Sequence, residues 1–216
     1  PGSMENVYGL FTRAAPVMYP LSNPVDYEPA ISETLGARAA AEGRDALEYL
    51  YDFMLEDGGT RFASLSTVDI PDRMDVLREM LVNPHTVTGL SDAGAHVTLI
   101  CDGTMPTTQL TYWTRDRKKG EQLPIEFIVN KQTARNAALY GFADRGTLEV
   151  GRRADVNVID HANLSVSAPV AHHDLPAGGT RLMQPVSGYV ATICNGVVTR
   201  DHDADTGARP GRLVRA

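Results

Sequence analysis

The residues best placed to do chemistry lie in one stretch, Gly89-Leu90-Ser91-Asp92-Ala93-Gly94-Ala95-His96. Apolar and β-branched residues (Thr86, Val87, Thr88, Leu90) run straight into a carboxylate, small residues and a histidine. A short buried strand needs no acid at its end in order to fold. Ser91-Asp92 followed by Ala-Gly-Ala would therefore set a carboxylate at a strand mouth with little bulk around it. In a parallel α/β sheet, that end of a strand is where ligands bind. The same residues also allow a plainer role, with Asp92 capping the next helix and Gly94 relieving a tight turn. Asp92 and His96 stand four apart, so a continuous helical turn would put them on one face, fit for a metal or a proton relay.

The remaining histidines are His85, His161, His172, His173 and His202. None forms a His-x-His or His-Glu-x-x-His, and there is no Cys-x-x-Cys, so spacing alone assembles no metal site. His172-His173-Asp174, between Pro169 and Pro176, reads as a loop facing solvent or substrate, with metal binding the less favoured alternative. Asp201, Asp203 and Asp205 imitate the start of a calcium loop. Thr206 at its sixth position and Arg212 at its twelfth make it a hairpin tip instead. Cys101-Asp102 has no base-and-orienter pattern around it, and a buried small thiol is expected. Gly178-Gly179 reads as a flexible turn, not a phosphate loop.

These groups need elements to hold them. Residues 5–30, rich in proline, read as a long connection with one strand near Val17 to Tyr19. A helix is expected from the N-cap Ser32 to Gly43, and a second from Asp45 to Leu55 with an apolar stripe of Leu47, Leu50, Tyr51 and Met54. Arg61 to Ser66 is a strand candidate. Pro71 opens a third helix, with Met74, Leu77, Met80 and Leu81 on one face, closing before Pro84. Helices over Pro106 to Arg117 and Pro124 to Tyr140 follow the central strand, and this alternation predicts a parallel sheet. From about residue 145 the pattern turns β-rich: Ala154 to Asp160 alternates, and Tyr189 to Cys194 and Val197 to Arg200 flank Asn195-Gly196, a type I′ hairpin signal.

Length and charge narrow the class. The chain has 216 residues, 43% hydrophobic and 22% charged, enough for one large or two small domains. A formal net charge of −7 argues against a nucleic-acid binder, and the basic run Arg115 to Lys119 reads as a solvated helix end. The two cysteines lie far apart, no apolar run reaches membrane-spanning length and no leader is evident, so a cytoplasmic protein is expected. Pro1-Gly2-Ser3 before Met4 looks like the scar of a cleaved tag, making 1–4 foreign to the fold.

Gly89 to His96, Cys101-Asp102-Gly103 and Met105-Pro106-Thr107 together resemble the eighth-strand region of the amidohydrolase superfamily, in its N-acyl-D-amino-acid deacylase (D-aminoacylase) branch. Gly146-Thr147-Leu148-Glu149-Val150-Gly151-Arg152-Arg153-Ala154-Asp155 is similar to the entry into the superfamily's small β-domain. Thr206 to Arg215 resembles the branch's C-terminal tail. The resemblance runs from about residue 15 onward.

It implies an α/β fold: the C-terminal part of a (β/α)8 TIM-like barrel, about strands 7 and 8 with their helices, over 5–144. Strands of a small β-sandwich follow over 145–216. It implies a zinc-dependent hydrolase of the amide bond of N-acyl (D-)amino acids, with Asp92 as the acid that takes and passes the proton of the metal-bound water. Ser91, Gly94 and His96 would line the substrate pocket, and Asp92 would approach the metal only in a complete barrel. The superfamily's metal-binding histidines match nothing here, so neither a zinc site nor turnover is expected of this chain by itself. No nucleic-acid or membrane partner is expected. Unpaired barrel edges predict a homo-oligomer. A non-catalytic interaction module derived from this fold, or one subunit of a split enzyme, are the competing readings.

Overall fold

The computed structural model describes residues 9, 12–65 and 74–214. They fall into two compact units, Pro1–Asp75 with Ala168–Met183, and Val76–Ser167 with Gln184–Ala216.

In the first unit, strand β1 (Tyr19–Pro20) pairs antiparallel with β2 (Ala63–Ser64), in the register Tyr19 to Ser64. Helix α1 spans Leu35–Ala41 and α2 spans Ala46–Gly59. The cap of α1 is Thr34 rather than Ser32: its hydroxyl accepts the Ala37 N–H at 3.1 Å, while Ser32 lies in a 3-10 turn, Ile31–Glu33. Asp45 caps α2, accepting the N–H groups of Leu47 and Glu48 at 2.9 and 3.1 Å. Regular helix stops after Leu55, where Glu56 becomes extended (ψ 156°) and Asp57 left-handed (φ 51°).

The core of this unit is Ala15, Met18, Leu35, Leu50 and Phe53. Leu50 keeps its expected place, but Leu47, Tyr51 and Met54 are 44, 66 and 47% exposed. The cause is composition: α2 carries apolar side chains most of the way round, so periodicity cannot choose which of them meets the small hub around Ala15 and Leu35. The His172-His173-Asp174 stretch is not a loop. It lies in β5 (Val170–Leu175), paired antiparallel with β6 (Gly179–Met183) around the Gly178 turn.

Helix α3 spans Asp75–Val82, all but its first residue in the second unit, and Pro71 before it lies outside the described residues. Helix α4 (Met105–Thr111) runs into a π turn, Tyr112–Asp116. Helix α5 (Ile125–Asn130) reaches α6 (Asn136–Leu139) through a second π turn, Lys131–Arg135. Strands β3 (Val156–Ile159), β8 (Tyr189–Cys194), β9 (Val197–Asp201) and β10 (Ala204–Asp205) form a sheet in the order β10-β9-β8-β3, and β4 (Ser165–Val166) pairs with β7 (Val186–Ser187). The hairpin at Asn195-Gly196 is as expected, with φ of 50° and 80°, the positive pair that a type I′ turn requires. The Asp201–Asp205 stretch is a second hairpin tip.

Three expectations are corrected here. Every strand pair among the described residues is antiparallel, so no parallel sheet forms. Thr86 to Leu90 is irregular chain, not a strand, and Leu90 is exposed. A parallel strand needs neighbours to receive its backbone bonds, and here the backbone and hydroxyl groups of 81–88 are taken by side chains of the 131–136 turn instead. The basic run is a solvated helix end only in part: Lys118 and Lys119 are exposed, but its two arginines are not free in solvent. Arg115 donates to the carbonyls of His161, Ala162 and Leu164, and Arg117 is 3% exposed with its guanidinium 4.9 Å from the Trp113 ring centre. No described helix is long and apolar enough to cross a membrane.

Candidate functional site

The loop that carries Asp92 is short and folded back on itself. The Asp102 N–H donates to the Asp92 carbonyl at 3.1 Å, closing residues 92–102 into a ring of backbone. Within it, Gly94 has φ +96° and His96 φ +48°. The His96 carbonyl accepts from Leu99 and Ile100 at 2.8 and 2.9 Å. A left-handed residue at 96 interrupts any helix, so Asp92 and His96 do not share a helical face. Asp92 is not a helix cap either, since the next helical turn begins only at Asp102.

Asp92, Gly94 and His96 are exposed and Ser91 is half-buried. The loop thus presents a carboxylate and an imidazole among residues with almost no side-chain bulk. Asp102, which residue types alone did not single out as an acid partner, is drawn next to Asp92 by the loop closure. Partial burial, and then the charge of Asp92, push the Asp102 carboxyl above the usual aspartate range. A neighbouring pair in which one acid holds its proton more tightly is an arrangement suited to proton transfer. The Cys101 thiol is pushed up by burial and by Asp102, which disfavours the thiolate and speaks against a cysteine nucleophile.

The other candidates do not join this loop. His173 Nδ1 lies 2.9 Å from the Thr180 hydroxyl, and Arg181 forks onto the Asp174 carboxylate at 2.8 and 2.6 Å. His161 Nε2 lies 3.0 Å from the Leu110 carbonyl and 2.9 Å from the Thr114 hydroxyl. His202 pairs with Asp201 at 2.6 Å. Among the described residues, no group of three or more histidine, cysteine, aspartate or glutamate side chains could hold a metal ion. Zinc takes four ligands, of which at least three come from protein in catalytic sites, so the described residues do not fit a zinc centre.

Residue types gave no warning of what grips the loop. Lys131 is 1% exposed, and its ammonium donates to the carbonyls of Leu81 (2.6 Å) and Thr86 (3.0 Å) and to the Thr86 hydroxyl (3.1 Å). Burial and nearby Arg135 lower its pKa from the usual lysine value. Thr88 returns a bond to the Lys131 carbonyl, Asn136 donates to Thr88, and Arg135 to the Pro84 carbonyl. The one hint in the sequence is a lysine two residues after the apolar run Phe127-Ile128-Val129, with Asn130 between. It reads as a surface residue unless the helix is known to be covered.

The amidohydrolase family matches residues 15–200 of the chain. Uncharacterized proteins of Mycobacterium bovis and Mycobacterium tuberculosis are each 32% identical over 157 residues, which is 71% of this chain and 25% of theirs. The chain therefore spans about a quarter of the length of the curated relatives it matches. No solved structure matches it significantly. With a family match extending over most of its length, the chain belongs to the amidohydrolase family.

Proposed function

We propose that this chain is the C-terminal portion of a metal-dependent amide hydrolase of the N-acyl-D-amino-acid deacylase branch, acting on N-acylated amino acids, with Asp92 as its catalytic acid-base. The observation that supports this most is the accessible Asp92 carboxylate on a loop of small residues within the matched segment, closed onto Asp102, whose carboxyl burial and Asp92 push upward. Asp92 would take a proton from the attacking water and deliver it to the leaving nitrogen. A placed general base of this kind contributes about 10²–10⁴ in rate. Ser91, Gly94 and His96 would contact the substrate. Zinc would belong to the complete enzyme, whose remaining residues would supply the ligands missing here.

In that enzyme residues 5–144 would complete the barrel and 145–216 the sandwich. The exposed Leu47, Tyr51 and Met54 of α2 are the kind of surface that associates. We expect the isolated chain to form a homo-oligomer and to show no turnover.

The test is to express the complete protein in which this chain forms the C-terminal part and load it with zinc. Release of free amino acid from N-acyl-D- and N-acyl-L-amino acids is then followed. Asp92→Ala is expected to lower kcat at least about 100-fold with little change in KM. Full activity in that variant, or no hydrolysis of any acylated amino acid by the zinc-loaded parent, would refute the reading.

A further inference from the structure

The loop 89–104 is held at both ends by a single turn of helix. On its N-terminal side, Lys131 binds the carbonyls of Leu81 and Thr86, Arg135 the Pro84 carbonyl, and Asn136 the Thr88 hydroxyl. On its C-terminal side, the Gln132 amide donates to the Pro106 carbonyl at 2.9 Å and to the Gln109 side chain at 3.1 Å. These four gripping residues are consecutive or nearly so. Lys131 and Gln132 serve different stems because adjacent residues on any helical turn point in different directions, about 100° apart in an α-helix and somewhat less in the π turn formed by 131–135.

From this geometry we propose that the π turn Lys131–Arg135, with Asn136, is a positioning device. It fixes where the Asp92 carboxylate stands by clamping both stems of its loop. The proposal rests on the reading of Asp92 as the acid-base, but the clamp itself is a property of this chain. The side-chain hydrogen bonds of Lys131 and Gln132 go to Leu81, Thr86, Pro106 and Gln109 and not to Asp92, so they act through the stems they hold. The ammonium suits the N-terminal stem because it satisfies three acceptors there without a carboxylate partner, inside a space that admits almost no water.

Two variants, read two ways, test it. In the chain itself, amide hydrogen exchange by NMR follows the bonded amides of Thr86, Leu99, Ile100 and Asp102, with Thr192 and Ile193 of the central strand as internal references. Lys131→Met is expected to speed exchange of the loop amides about tenfold or more, leaving the references unchanged, as loss of bonds from a charged donor implies. Lys131→Arg, which still donates to carbonyls, should restore most of the protection. Gln132→Ala, at a half-buried position, should loosen Asp102 and Ile100 and decides the matter if Lys131→Met fails to fold. Loop exchange unchanged in Gln132→Ala and in any folded Lys131→Met overturns the clamp.

In the complete enzyme, Lys131→Met should lower kcat about tenfold or more with KM changed less than about threefold, and Lys131→Arg should recover kcat. Loosened exchange with unaltered kcat overturns the positioning role, provided Asp92→Ala is inactive. An active Asp92→Ala overturns the acid-base reading instead, and the exchange data then judge the clamp separately.

Discussion

Arg115 offers the sharpest test of how the second unit is held together. Its guanidinium donates to three backbone carbonyls, those of His161, Ala162 (3.1 Å) and Leu164 (2.8 Å), and its side chain is 28% exposed. Arg115→Met keeps most of the aliphatic stem and deletes every donor. A hydrogen bond from a charged donor is worth about 1.5–3 kcal/mol when buried. Water can reach part of this site, which reduces each to about 1 kcal/mol and the set to roughly 2–3 kcal/mol. The adjacent ion pair with Asp116, near the surface, adds at most a few tenths to about 1 kcal/mol.

At about 2–4 °C per kcal/mol for a chain of this size, the melting temperature should fall by roughly 4–12 °C. The single tryptophan, Trp113, stands two residues away in the same unit, so urea and thermal unfolding followed by its fluorescence report on the right place. Arg115→Lys, with one compact ammonium in place of the fork, should lose about half as much. An Arg115→Met chain within about 0.5 kcal/mol of the parent would refute the reasoning, because the three carbonyls would then be no worse served by water than by arginine.

Two further outcomes follow from single contacts. Gly188 has φ +110°, and a Cβ there would stand 2.7 Å from the Leu164 Cα, so Gly188→Ala combines a left-handed strain with a backbone clash. A loss of about 2–4 kcal/mol is expected in the same unfolding assay, and a neutral result would contradict the packing of 160–164 on the strand entry. The Asp205 carboxyl, bonded by Arg209 and by the Gly207 N–H, is depressed to about 2. Because its folded value lies below the unfolded one near 3.9, its stabilising contribution is present above that value and is lost as pH falls towards 2. An NMR titration should show a midpoint of about 2 in the parent, moving up in Arg209→Ala; an unmoved midpoint would dissociate the depression from the arginine.

Some of this architecture was legible locally. The α2 start at Asp45 and its stop near Leu55 depend on nearest neighbours, as does the Asn195-Gly196 hairpin with its flanking strands, and all are found where the residue pattern puts them. The face that α2 buries was not legible, because several apolar stripes compete and only the hub around Leu35 selects one. The Asp92 loop was recognisable as the place for chemistry from its acid, small residues and histidine. Its surroundings were not: Asp102 becomes a partner only because its N–H meets the Asp92 carbonyl across ten residues.

Neighbouring residues thus set the short-range features, the α2 start at Asp45 and the Asn195-Gly196 hairpin, and the matched segment carries membership of the amidohydrolase family, although even locally the α1 cap moved from Ser32 to Thr34. Where charge and backbone meet at a distance was settled by long-range packing alone. Lys131 and Arg115 look like surface cations in the sequence and become donors to carbonyls more than forty residues away. The physical reason is that a backbone carbonyl left without a partner looks the same in every residue type. The chain's path alone determines which carbonyls lack water and which long side chain can reach them.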